Sequence, residues 1–140
     1  MRKITAIVPL VAAAALSMTA LATNASAEAA SGGGTARSAL DGSCQAGEFC
    51  LYYNSDHKGS FTDFVLGVRD FATVKFIADG AGKGQLVKNN AASACNKDDN
   101  LTARVYFNSE WEGAYDSIAP GTCKNLVNTY NENASFQWIA

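Results

Sequence analysis

The residues of this chain able to do chemistry are four cysteines, one histidine and a set of carboxylates concentrated in its second half. Nucleophilic catalysis needs a Ser or Cys beside a base, and His57 is the only imidazole in the sequence. Acid–base hydrolysis could use Asp98, Asp99, Glu110, Glu112 and Asp116, but these are expected in turns facing water, and spacing alone brings no two of them together. The Gly80-Ala81-Gly82-Lys83-Gly84 run lacks the Ser or Thr that must follow the lysine of a phosphate loop, so it is read as a hairpin connection. No HExxH or GxSxG motif occurs. The chain is therefore expected to have no catalytic residues and not to be an enzyme. The aromatics Tyr52, Tyr53, Trp111, Tyr115 and Trp138 could form a platform for sugar or peptide, but at strand spacing they are expected to pack core and corners.

The elements that must position these groups begin with a segment to be set aside. Arg2 and Lys3, an apolar run from Ile4 to Leu21 and the small residues Ala25-Ser26-Ala27 predict a secretory signal peptide over residues 1–27. Removing it leaves 9 basic against 13 acidic residues, a net charge of −4. That balance lacks the clustered Lys and Arg that neutralise phosphates, so no nucleic-acid partner is expected. No other apolar stretch could span a bilayer, and the mature protein is expected to be secreted and extracellular, monomeric and free of membrane. Residues 28–43 are small, polar and glycine-rich, which predicts a flexible leader ahead of a single domain at 44–140.

In a small exported domain, Cys44, Cys50, Cys95 and Cys123 are expected to form two disulfides. Zinc is disfavoured, because CxxC spacing is absent and one histidine is too few. Four cysteines allow three pairings, and the sequence does not choose among them. Cys44 with Cys50, around a turn at Gly47, would leave Cys95 with Cys123.

Beyond Cys44 the texture is short runs of Phe, Tyr and Val between Asn, Asp, Gly and Ser clusters, the pattern of an all-β domain. Strands are predicted near 49–53, 60–65, 73–78, 85–88, 102–107, 114–117, 123–127 and 136–139. An internal repeat organises them. Leu51-Tyr-Tyr-Asn-Ser-Asp-His-Lys-Gly-Ser-Phe61 aligns with Val105-Tyr-Phe-Asn-Ser-Glu-Trp-Glu-Gly-Ala-Tyr115. Each unit is followed by an Asn-rich echo, Asn89-Asn90-Ala91-Ala92-Ser93 and then Asn131-Glu132-Asn133-Ala134-Ser135.

The Tyr52, His57, Gly59 and Tyr106, Trp111, Gly113 patterns resemble the aromatic-turn-Gly signature of βγ-crystallin Greek keys. With the Cys-x5-Cys spacing, "VYFNSEWEGAYDSIAPG" and "NENASFQW", the chain resembles peptidase inhibitor family I36. The resemblance implies a βγ-crystallin-like sandwich of two Greek-key motifs. It also implies a protein-binding module that inhibits an extracellular peptidase, a metallopeptidase in the first instance, by presenting a rigid loop. In the family's founding inhibitor that loop is closed by a local disulfide late in the chain. Here Cys95 and Cys123 lie 28 positions apart, so no reactive-site residue carries over and the inhibitory loop is unknown. The Cys44 to Cys50 ring and the segment Ser93-Ala94-Cys95-Asn96-Lys97 are the candidates.

The alternative that the resemblance implies is a calcium-binding or structural extracellular module. Asn89, Asn90 and Ser93, and Asn131, Asn133 and Ser135, resemble two degenerate copies of a crystallin calcium motif, with Ala94, Glu132 and Phe136 departing from it. Neutral amide and hydroxyl oxygens support no more than a weak Ca2+ site, so no cofactor is required. Capping of turns by the same side chains is the favoured account.

Overall fold

A computed structural model describes residues 39–140, and the expected signal peptide at 1–27 and residues 28–38 of the expected leader lie outside the described residues. Seven strands run β1 Phe49–Tyr52, β2 Phe61–Phe64, β3 Ser93–Asn96, β4 Thr102–Asn108, β5 Glu112–Ile118, β6 Cys123–Asn125 and β7 Ser135–Ile139. They form a four-stranded sheet in the order β2-β1-β3-β6 and a three-stranded sheet in the order β5-β4-β7, all neighbours antiparallel. The architecture is all-β, as the alternation of aromatic runs and turn clusters predicts.

The repeat is visible in the chain path. β1 and β2 are joined through a 3-10 turn at Ser55–His57, and β4 and β5 through one at Ser109–Trp111. The third segment of each unit then crosses to the sheet of the other. Val68, in the first unit, bridges to Phe136 of β7, while β6, in the second unit, pairs with β3 of the first. Each sheet is completed by a piece of the opposite repeat.

Between the sheets lie Phe49 and Leu51 of β1, Phe64 of β2, Val105 of β4, Ile118 of β5 and Phe136 of β7, all at most 2% exposed. Phe49 and Phe136 stack across the interior with ring centroids 4.4 Å apart. Burying side chains of this size removes enough apolar surface to contribute about 2 kcal/mol each. Phe71, Phe76 and Val87 close one end of the core from the connection between β2 and β3.

Three expectations are corrected. Of the segment Ser93–Lys97, read as a candidate inhibitory loop, Ser93–Asn96 is β3, buried and paired on both edges with β1 and β6, and Lys97 alone is exposed. The strand escapes propensity because it holds no β-branched or aromatic residue, and Ala and Asn are depleted in strands. Residues 73–78 and 85–88 are not ladder strands. They meet in one bridge, Lys75 to Leu86, with hydrogen bonds from Phe76 N–H to Gln85 O and from Val87 N–H to Val74 O. Residues 39–43, placed in the flexible leader, are bound to the domain. Leu40 N–H donates to Asp63 O, and the buried Asp63 carboxylate accepts from the N–H groups of Asp41 and Gly42 at 3.1 and 2.8 Å.

Candidate functional site

Both disulfides are formed, Cys44 with Cys50 and Cys95 with Cys123. The first closes a ring of seven residues whose tip, Gln45 and Ala46, is exposed while Glu48, Phe49 and Cys50 are buried. The base of the ring is fixed by backbone bonds. Gly47 N–H donates to Lys97 O at 2.7 Å and Lys97 N–H to Glu48 O at 2.8 Å. Across the ring, Glu48 N–H donates to Gln45 O and the Glu48 carboxylate accepts from Gln45 N–H at 2.7 Å. Gly47 takes φ +80°, the left-handed conformation that glycine adopts without strain. A stiff, exposed, two-residue tip results.

The two repeat turns are built alike. Asp56 and His57, and equally Glu110 and Trp111, lie at positive φ, which L-residues adopt at some cost. A serine from the echo holds each turn. Ser93 Oγ donates to Asn54 O at 2.6 Å and accepts from His57 N–H at 3.0 Å. Ser135 Oγ donates to Asn108 O at 2.6 Å and accepts from Trp111 N–H at 3.1 Å. The turns then diverge. Trp111 donates its indole N–H to Phe136 O at 3.0 Å and lies under the Arg69 guanidinium, whereas His57 is exposed with its ring edge-on to Tyr52.

The six residues read as degenerate calcium ligands fall into three groups. Ser93 and Ser135 are buried and engaged with the turns just described. Asn89, Asn131 and Asn133 tie the echoes to each other. Asn89 N–H donates to Asn133 O, Asn131 N–H donates to Ala91 O, and the buried Asn133 amide bonds both the N–H and the C=O of Ala91. Asn90 donates to Leu86 O and Lys88 O, and with Asn131 it lines a polar cleft of about 330 Å³ shared with Tyr53, Asn54, Ser55, Ala92 and Tyr130. Among the described residues, no carboxylate lines that cleft.

Among the carboxylates, Asp116 departs from its expected place in water. It is 2% exposed, on the inner side of β5. Its oxygens accept from Val127 N–H at 3.1 Å, Thr129 N–H and Thr129 Oγ1 both at 2.9 Å, and Lys124 Nζ at 3.3 Å. Burial pushes the carboxyl pKa up, but the Thr129 and Val127 donors and the Lys124 charge outweigh it and hold the group below the ordinary carboxylate range. Asp116 fastens the connection between β6 and β7. Tyr115 likewise leaves the expected core, 44% exposed beneath Arg104. Trp138 does pack inward, edge-on to Phe49 and Phe136.

Two Greek-key units exchanging third segments between stacked sheets define a βγ-crystallin-type domain, and solved structures agree. A domain described in connection with the evolution of the eye-lens βγ-crystallin fold superposes with a TM-score of 0.52 at 15% identity, covering 77% of this chain and 94% of that one. The N-terminal domain of Protein S gives 0.51 at 20% identity, covering 66% and 96%, and a βγ-crystallin from Ciona intestinalis gives 0.52 at 16%, covering 66% and 100%. No curated protein matches the chain. The model of peptidase inhibitor family I36 matches residues 37–118, more than half of the sequence, and the chain belongs to that family.

Proposed function

We propose that this protein is a secreted, monomeric inhibitor of an extracellular peptidase, with metallopeptidases the first class to test, and that the Cys44–Cys50 ring enters the target's active-site cleft. The family match carries the inhibitory reading, and its span includes the whole ring. The two disulfides fit an extracellular setting, and among the described residues no helix is long and apolar enough to cross a membrane. The ring is favoured because its ordering entropy is lost before binding, which separates an inhibitor from a substrate. The interaction involves no covalent step and no catalytic residue of this chain.

Titration of residues 28–140 into a thermolysin-like metallopeptidase, with subtilisin-like and trypsin-like serine peptidases alongside, is expected to give stoichiometric inhibition with the chain intact. Ala46→Arg at the exposed tip is expected to change the inhibition constant by at least about tenfold without moving the melting temperature. No inhibition of any class refutes the inhibitory reading, while inhibition indifferent to Ala46→Arg moves the contact off the ring.

A second reading, a calcium-binding or structural module, is favoured by the cleft that gathers Asn90 and Asn131. With neutral oxygens its Ca2+ dissociation constant is expected at or above about 1 mM. The melting temperature should therefore be the same in EDTA and in micromolar Ca2+. A saturating rise at millimolar Ca2+ that equal Mg2+ does not give would put this reading first.

A further inference from the structure

The Cys95–Cys123 disulfide joins β3 to β6 at directly opposed positions, and the only histidine of the sequence is brought to it. A ring nitrogen of His57 and the two sulfurs all lie within 4.8 Å of one another. The turn that carries His57 is clamped to both strands. Ser93 of β3 accepts from His57 N–H at 3.0 Å, and Asn125 of β6 exchanges hydrogen bonds of 2.7 and 3.0 Å with Asp56. Cys95 is buried at 3% exposure, whereas Cys123 and His57 face solvent.

We propose that His57, Cys95 and Cys123 form a thiol-gated site for a borderline-soft divalent cation of the zinc type, closed while the disulfide is intact and opened by a dithiol reductant. The reductant's thiolate attacks Cys123 Sγ, the exposed sulfur, and Cys95 leaves. The mixed disulfide is then resolved by the second thiol, so two electrons and two protons pass to the cysteines as the reductant becomes its own disulfide. The cation displaces the two thiol protons to water, forms two metal–sulfur bonds and takes the lone pair of one His57 ring nitrogen, with water in the fourth position. Bonds of about 2.3 Å to sulfur and about 2.0 Å to nitrogen place tetrahedral ligand atoms about 3.5–3.8 Å apart. The present separations come within reach of that by side-chain rotation, with β3 and β6 still paired. Two strands and a turn held by Ser93 and Asn125 supply the rigidity that a three-ligand site needs.

The test is a Co2+ titration of the purified chain after reduction by a phosphine and its removal under anaerobic conditions. One Co2+ per chain is expected, with thiolate-to-cobalt charge-transfer and tetrahedral d–d absorption, absent from the oxidised protein. His57→Gln, an exposed position, should weaken binding by at least about tenfold, and Cys95→Ser with Cys123→Ser should abolish the bands. If the reduced chain is unfolded by circular dichroism, Co2+ is expected to restore the β signal together with the bands. Absence of the bands from the reduced wild type, folded or not, overturns the proposal. So do bands unchanged in His57→Gln, or bands surviving loss of Cys95 and Cys123, which would place the metal on Cys44 and Cys50.

Discussion

Replacing Asp116 by alanine is expected to lower the unfolding free energy by about 3 kcal/mol at pH 7, read from denaturant midpoints. The substitution strands the N–H groups of Val127 and Thr129 and the Thr129 hydroxyl around a site that is 2% exposed. A buried donor left without its acceptor costs about 1–3 kcal/mol. Lys124 adds little to that figure, because its side chain is 40% exposed and screened by water. The pH dependence has a definite sign. The folded carboxyl titrates below its unfolded range, so its stabilisation is complete above about pH 4 and is lost as pH falls through the lower, folded value. The gap between wild type and Asp116→Ala should hold steady from pH 7 to about pH 5 and narrow in stronger acid. A gap under about 1 kcal/mol at pH 7, or one that widens on acidification, would show that Asp116 is not the clamp of the β6–β7 connection.

The second large effect is expected at Gly82. Its φ is +89°, and a Cβ there would lie 2.2 Å from Cγ of Tyr53 and 2.4 and 2.6 Å from the two Cδ atoms, at the root of the ring and not at a flexible tip. Tyr53 is edge-on to Phe76 on its core side, so the ring must give up that packing to move toward the cleft it lines. Gly82→Ala should therefore cost about 3 kcal/mol, from overpacking plus backbone strain. Gly84 provides the comparison. It has φ +84° with open space around its Cβ position, so Gly84→Ala should show the backbone part alone, about 1 kcal/mol. Equal losses at the two positions would mean that Tyr53 moves freely. Removing the ring with Tyr53→Ala should shrink the extra cost at Gly82, a coupling that a double-mutant cycle measures.

The two repeat units could be read from the sequence because their chemistry is local. Aromatic strand, polar turn and glycine follow one another within eleven residues, and Gly59 and Gly113 both take the positive φ that such a corner requires. The serines that end the echoes, expected to cap turns of their own, instead hold the repeat turns through partners 39 and 27 residues away. What stayed hidden depends on distant segments. β3 owes its strand conformation to pairing on both edges and not to its composition, and Asp116 owes its burial to donors from the segment after β6. The approach of His57 to Cys95 and Cys123 left no trace in spacing, since separations of 38 and 66 residues carry no signature of contact. The glycine run at 80–84, expected as a hairpin connection, also covers Tyr53, which the sequence did not indicate.

The exchange of third segments bears on how such a molecule survives among proteolytic enzymes. The short connection at 97–101 leads from the first repeat to the second, and Lys97, Asp99 and Asn100 within it are exposed to attack. A single cut there would not set either half free. The amino-terminal piece would still hold Val68 against Phe136, the carboxy-terminal piece would still hold β6 against β3, and Cys95 would remain bonded to Cys123 across the break. The fragments would have to lose strands from both sheets and a covalent link before separating. A molecule nicked at this joint thus keeps its halves together, and cleavage there does not amount to destruction.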